Sequence, residues 1–501
     1  MLNEPHATTQ KSCDFKHNPS FAIIVVSDSS GINDSITSLR QPNCNIYVVA
    51  EALVVDTINT RCLSVDYILY IGKDCVMEPF ALDEYICIIN EIPDVDFIYS
   101  NHDYISRRKN RRFCPVFKPS PASETLYRLN YVGDVWVVRR EFISGLSISS
   151  VNCLSLEVSL HVCKMKGRSH CISRVLFHVS VEREDERAIE FSGGCDEVLT
   201  SYIKSGTDTG FSLQKQNPSG IYSVNYILKS TPLISIIIPN KDNSSVLKKC
   251  TDSILSKSTY RNFEIVIAEN GSVTNQTFLL YDNLKKKENI KIITIPGKFN
   301  YSRVNNRAVA ESSGDVLIFL NNDTEVITPQ WMEKMLCHAL KTGTAAVGAK
   351  LYYPDGTIQH GGLVLGFGGV AGDPFQGADG RSDGYLYALQ AVRNVSAVTG
   401  ACLMLRRELF DHIGGFDESL PLAYNDVDLC LRLNAAGFET IWSPESELRH
   451  YESVSRGYDI TAGKKLRLKN ESDIFTNKWK AVLQKGDPHF SSDLYFLYES
   501  F

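Results

Sequence analysis

Val316-Leu317-Ile318-Phe319-Leu320 runs directly into Asn321-Asn322-Asp323. A short unbroken apolar run stopped by polar turn formers reads as a strand buried on both faces, the kind that builds a parallel sheet. Open α/β sheets bind ligands in the crevice outside the carboxyl ends of their strands, so Asp323 is expected in such a crevice. Farther on, Tyr424-Asn425-Asp426-Val427-Asp428 opens a Leu/Cys/Arg pattern of helical period, and His450 follows. Brought to the same crevice, this acidic pair and histidine would supply metal ligands and a general base.

Working outward from that strand, Leu233 to Ile238 is a second buried strand, stopped by Pro239, and Asp242-Asn243-Ser244 offers caps for a helix over Val246 to Leu255. Phe263 to Ala268 reads as the next strand, with Glu269-Asn270-Gly271-Ser272 as its turn, and Val304 to Ala310 reads as a helix. Strands alternating with helices predict an α/β, doubly wound sheet. A fainter block of the same kind precedes it: strands at Phe21 to Val26, Ile46 to Val49 and Tyr67 to Ile71, with a helix over Ile32 to Leu39. The connector carries the charged run Glu182 to Arg187, a helix near Glu197 to Ile203 and a hairpin pivoting at Asn217-Pro218-Ser219-Gly220. The expected division is a polar tail (1–20), a first domain (21–180), a linker (181–230), a second domain (231–460) and a C-terminal helix with tail (461–501).

The totals agree with this division. A chain of 501 residues exceeds what one hydrophobic core serves. A net charge of -6 speaks against nucleic acid as partner, because phosphate contacts need a basic face. Met1 to Ser20 has no apolar stretch of export-signal type, and no run approaches a membrane span. The 14 cysteines include no Cys-x-x-Cys pair, so reduced thiols in a cytoplasm are expected.

Three strand ends converge in this reading. Pro239-Asn240-Lys241 and Glu269-Asn270-Gly271-Ser272 offer hydrogen-bonding groups for a base and ribose, and Asn321-Asn322-Asp323 offers a carboxylate for a divalent cation holding a diphosphate. In order along the chain come Phe299-Asn300-Tyr301-Ser302, Asn305-Asn306-Arg307-Ala308, Leu320-Asn321-Asn322-Asp323, Tyr353-Pro354-Asp355-Gly356-Thr357-Ile358-Gln359-His360-Gly361-Gly362 and Thr399-Gly400-Ala401-Cys402. Gly414-Gly415-Phe416-Asp417-Glu418, Asn425-Asp426-Val427-Asp428-Leu429-Cys430-Leu431-Arg432 and His450-Tyr451-Glu452-Ser453 complete the series. With these motifs, Pro232 to about Gly457 resembles the family 2 glycosyltransferases of GT-A fold, in particular bacterial enzymes of O-antigen, capsule or rhamnan-type polysaccharide synthesis.

The resemblance implies a role for each matched position. Asp323 stands at the last residue of the metal-binding Asp-x-Asp motif, with Asn321 in place of the first acid, and His450 stands where a histidine completes the metal or diphosphate site. Asp426 stands at the catalytic base. Pro239, Asn240, Glu269 (for the usual Asp), Asn270, Asn305, Arg307, Asn321 and Asn322 stand on the donor side; His360, Thr399, Gly400 and Asn425 on the acceptor side. The implied enzyme is an inverting transferase using Mn2+ or Mg2+. It moves sugar from a nucleotide-diphospho-sugar to a glycan or lipid-linked glycan, in the cytoplasm or peripherally at the inner face of the membrane.

Two rival readings are a nucleotidyltransferase, which would want a Gly-rich basic loop after the first strand, and a non-catalytic sugar-binding or assembly subunit. Gly366-Phe367-Gly368-Gly369-Val370-Ala371-Gly372 lacks the strand-turn-helix setting of a dinucleotide loop and is read as a flexible acceptor-side loop. The first block resembles the same family with its chemistry lost. Gly72-Lys73-Asp74 stands where the metal motif belongs, and Asn152-Cys153-Leu154-Ser155 lacks the base, so a scaffold or acceptor-docking role is expected. Arg107-Arg108-Lys109-Asn110-Arg111-Arg112, with Lys464, Lys465, Arg467 and Lys469, forms a candidate face for anionic lipid.

Overall fold

The computed structural model describes residues 18–27, 43–144, 146, 148, 150–182, 195–207, 209–216, 221–451 and 461–495. The helix expected at Ile32 to Leu39, most of the charged run after Glu182, the hairpin pivot Asn217 to Gly220, and Glu452-Ser453 lie outside them. The chain divides into two units, Met1–Pro121 with Asn130–Val198, and Ala122–Leu129 with Leu199–Phe501.

In the second unit one sheet runs, edge to edge, Ile290–Thr294, Phe263–Glu269, Ile234–Asn240, Val316–Leu320, Cys402–Arg406, Thr344–Tyr352, Glu439–His450, Thr324–Val326. The first four strands are parallel, and Cys402–Arg406 reverses direction against Val316–Leu320. Val316–Leu320 is buried throughout because both faces are covered. Val316, Ile318 and Leu320 enter a core with Leu247, Ile254, Trp331, Met335 and Leu336 from the helices Ser244–Lys257 and Trp331–Ala339. On the opposite face Phe319 packs against Phe410 and Phe416 at 5.3 and 4.7 Å between ring centroids.

Local chemistry departs from the sequence reading at several ends. The Asp242 carboxylate does not cap its helix; it accepts the N–H groups of Val273 and Thr274, both at 2.9 Å, and Asn243 enters the helix with φ of 50°. The helix expected from Val304 begins at Tyr301, where the Asn300 side chain accepts the Arg303 N–H at 2.9 Å. The glycine-rich stretch is held by a small antiparallel pair, Val364–Leu365 with Ala371–Gly372.

The sheet of the first unit runs Cys44–Val49, Phe21–Val26, Tyr67–Ile71, Val135–Arg139, Phe97–Ser106, Ser169–Val181, Cys75–Met77. Order and strand directions repeat those of the second sheet from Phe263–Glu269 onward. This common order makes Asp74 the counterpart of Asp323 and Val179, paired with Cys75, the counterpart of His450, paired with Thr324. Asp74 is ion-paired with Arg107, whose Nε also donates to Ser180 Oγ at 2.9 Å. Arg112 is paired with Asp103 and Glu78, so two arginines of the basic cluster are engaged in ion pairs. The expectation of reduced cysteines is corrected at Cys153 and Cys195, joined in a disulfide with Cα atoms 5.6 Å apart, and at Cys87, which is also disulfide-bonded.

Gly314 approaches the first catalytic-side strand too closely for any side chain. A Cβ there would lie 2.6 Å from Ser235 N and 2.7 Å from Leu233 O, both fixed backbone atoms. Gly314→Ala is expected to cost about 1–3 kcal/mol by overpacking, read as a lower urea midpoint at unchanged m value.

Candidate active site

A cleft of about 280 Å³ opens at the carboxyl ends of the second sheet. Pro239, Asn240, Lys241, Asn321 and Asn322 line it, as the strand ends require, together with Phe299, Tyr301 and Leu422, to which the sequence reading gave no site role. The two central strand ends are tied: Asn322 Nδ2 donates to Asn240 Oδ1 at 2.6 Å, and Asn240 Nδ2 donates to Tyr281 Oη at 2.7 Å. Tyr281 in turn donates to the Glu269 carboxylate, which also accepts the N–H and hydroxyl of Ser272. Glu269 is thus buried in a network, where it supports the strand ends through Tyr281. Asn270 is buried as well; its Nδ2 donates to the carbonyls of Ile295 and Gly297 at 2.6 and 3.2 Å.

Strand register creates the next feature. Thr324 pairs with His450, so the residue before Thr324 meets the histidine. Asp323 Oδ1 lies 3.2 Å from His450 Nε2, and Asn321 Nδ2 lies 3.3 Å from the same nitrogen. Both acid and imidazole are almost buried, at 6% and 5% exposure, and His450 Nδ1 has no hydrogen-bond partner among the described residues. One carboxylate oxygen and one imidazole nitrogen suit Mn2+ or Mg2+, provided that phosphate oxygens and water complete the shell. No group of three His, Cys, Asp or Glu suited to a metal occurs among the described residues.

The second half of the site is reached through Tyr301. Its hydroxyl donates to Gly400 O at 2.9 Å, and the Gly400 N–H donates to Asp426 Oδ2 at 2.8 Å. Asp426 sits in the first turn of the helix Asn425–Ala435 and accepts the Val427 N–H at 2.9 Å through Oδ1. Both the main-chain donors and the helix dipole favour its ionised form, yet burial outweighs them and pushes its pKa up. The neighbouring acid is spent: Asp428 is bound by Arg432 at 2.7 Å, Lys478 at 2.7 Å and Trp479 Nε1 at 2.9 Å.

His360 is buried beside this group. Its Nδ1 lies 3.1 Å from Asp373 Oδ2, and its Nε2 receives the Thr399 N–H at 3.4 Å. Asp373 orients the imidazole and was not singled out in the sequence, where it is one acid in a polar loop. Asn425 turns inward, its Nδ2 3.5 Å from Leu420 O, and is buried rather than open to a ligand. Asn305 is buried on the Tyr301 face of its helix, donating to Tyr301 O at 2.9 Å, whereas Arg307 is exposed on that helix. The fold therefore gathers Asn240, Asn321, Asn322, Asp323, His450, Gly400 and Asp426 and leaves Arg307 and Asn425 at its margins.

Residues 235–414 match the Glycosyl transferase family 2 sequence model, and residues 375–469 match Glycosyl transferase family group 2. The chain is 34% identical over 447 residues to the uncharacterized protein y4gI of Sinorhizobium fredii, covering 85% of this chain and 48% of that one. It is 32% identical to the O-antigen biosynthesis protein RfbC of Myxococcus xanthus, covering 86% of this chain and 34% of that one. An N-acetylglucosaminyl-diphospho-decaprenol L-rhamnosyltransferase of Mycobacterium tuberculosis is 26% identical over 253 residues, 46% of this chain and 81% of that one. The chain spans about half or less of the length of the first two relatives. Its second unit carries a family 2 glycosyltransferase domain of GT-A type.

Proposed function

We propose that the second unit transfers a sugar, with inversion, from a nucleotide-diphospho-sugar to a glycan or lipid-linked glycan acceptor in the synthesis of a bacterial surface polysaccharide, at the cytoplasmic face of the membrane. The observation that carries this reading is the pair of acids on adjoining elements of one site. Asp323 follows the strand Val316–Leu320, and Asp426 is bound to Gly400 just before the partner strand Cys402–Arg406.

In a single displacement the acceptor hydroxyl attacks the anomeric carbon and loses its proton as the nucleoside diphosphate departs. Asp426 takes that proton; its raised pKa makes it a better base than an exposed aspartate. Tyr301 and Gly400 hold it in place. Asn240 and Asn322 fix the strand ends against which the nucleotide lies. Asp323 and His450 would hold a divalent cation, which supplies Lewis-acid stabilisation of the leaving diphosphate when bound. We read the first unit as non-catalytic, because Arg107 fills the place beside Asp74 and Val179 stands in the place of the histidine.

A screen of UDP-, dTDP- and GDP-sugars with Mn2+ or Mg2+, reading nucleotide release, should find one donor family consumed. Asp426→Asn should lower transfer by about 100- to 10,000-fold while donor binding by calorimetry persists; undiminished transfer would remove Asp426 as base. Asp426 works as the anion, so turnover should fall as pH drops through its raised pKa, placing the acid limb of kcat/KM above the ordinary aspartate value of 3.8. Loss of outer partners alone costs about 10- to 100-fold in metal affinity. Asp323→Ala and His450→Ala should therefore each weaken Mn2+ binding in the presence of nucleoside diphosphate by at least that factor, measured by calorimetry.

A further inference from the structure

The loop that leads into Asp426 is gripped from behind by the helix Ala462–Leu483, whose part from 470 onward, Glu471 included, lies past both family matches, ending at residues 414 and 469. Glu471, with 2% exposure, accepts the N–H groups of Leu422 (3.0 Å) and Ala423 through Oε2, and its Oε1 is paired with Arg467 at 3.1 Å. One turn on, Phe475 packs on the Tyr424 ring with centroids 5.4 Å apart. One further turn on, Lys478 and Trp479 both reach Asp428 Oδ1. Contacts spaced at four, seven and eight residues form one stripe along a helix, and here the stripe follows the loop from Leu422 to Asp428.

The gripped segment has little freedom to hold itself. Tyr424 has φ of 62°, a conformation that side-chain-bearing residues adopt only under surrounding constraint. Leu422 borders the cleft, so the same segment shapes the donor side and delivers Asp426. Two main-chain N–H groups and one carboxylate buried together are costly unless they bond to each other, which makes the Glu471 contact specific in geometry rather than a general packing contact.

We propose that Glu471 is a positioning residue of the transfer reaction, holding Leu422 to Tyr424 so that Asp426 meets the acceptor hydroxyl at the cleft. This rests on the reading of Asp426 as base. The groups facing Asp426 are His360, Tyr301 and, on its own helix, Cys430. Of these, His360 favours the anion, but burial is the largest influence on Asp426, so its proton affinity depends on how dry the segment keeps it. Loosening the loop admits water, lowers that affinity and moves the acid limb of turnover to lower pH.

The full chain is compared with Glu471→Leu, which has no acceptor, and Glu471→Gln, whose carbonyl still accepts both N–H groups. Hydrogen exchange of the amides in 421–426 is read by mass spectrometry, and kcat, KM and pH profile are read with the donor found in the nucleotide-sugar screen. The leucine variant should exchange this segment faster, lose about 100-fold in kcat and shift its acid limb downward, with the glutamine variant close to the parent in all three. Glu471→Asp, which retracts the acceptor by one methylene but keeps the charge, should move the same readouts in the same direction and serves if the leucine variant does not fold. Unchanged exchange in 421–426, or equal losses in the glutamine and leucine variants, overturns the proposal. If the parent consumes no nucleotide sugar, the transferase reading falls instead, and the exchange rates alone decide whether Glu471 holds the loop.

Discussion

Pairing of Val316–Leu320 with Cys402–Arg406 is the constraint from which the site follows. Leu320 opposes Cys402, so the residues just beyond, Asn321 and Ala401, are forced together, and the Asn321 N–H donates to Ala401 O at 3.0 Å. Asn322 and Asp323 follow directly on Asn321, and Gly400, which holds Asp426, precedes Ala401. A slip of one residue would turn every side chain to the other face of the sheet, taking Phe319 away from Phe410 and Phe416 and separating the two halves. Two-sided burial of the strand opposes that slip, because its alternate residues are sorted between two different apolar surfaces.

The first unit tests this constraint within the same molecule. Ile71 opposes Val135 as Leu320 opposes Cys402, so Asp134 takes the place of Ala401 and Gly133 that of Gly400. The sheet is kept but the chemistry is rearranged. The acid now sits on the strand side, where Asp134 accepts the Ser155 hydroxyl at 2.7 Å, and the helix contributes the hydroxyl. Burial raises the Asp134 pKa with only Lys118 as a nearby cation to oppose it, and Lys118 is itself pushed down to about 7 by burial. Topology thus survives exchange of the reactive groups, since the apolar strand faces that maintain it do not include them.

The sequence revealed the sheet because strands buried on both faces announce themselves as unbroken β-branched runs; Ile234–Asn240 and Val316–Leu320 need no context to be read. It revealed Asp323 because strand ends are where ligands lie. His450 and Asp426 came from motif resemblance, as no periodicity brings residue 450 to residue 323. What stayed hidden depends on long-range packing. Glu269 looked like a ligand group and is a buried acceptor for Tyr281; Asp242 looked like a cap and instead holds the Val273–Thr274 turn. Glu471 lies in a helix rich in charged residues, and nothing in its local pattern distinguishes it from solvated neighbours, since its partner Leu422 is 49 residues away.

Asp426 and Asp428 lie two residues apart on one helix, and their surroundings assign them different work. Asp428 faces Arg432, Lys478 and Trp479, and is fully enclosed. Charge-assisted bonds of that kind are about twice as strong as neutral ones, so they fix its carboxylate in place. Asp426 is held by main-chain N–H groups, those of Gly400 and Val427 among them, which orient it without neutralising it. Burial then raises its proton affinity, outweighing these donors and the opposing influence of His360. Lys478 and Trp479 also tie Asp428 to the helix Ala462–Leu483, so this acid fastens the element whose Glu471 holds the loop before the proposed base.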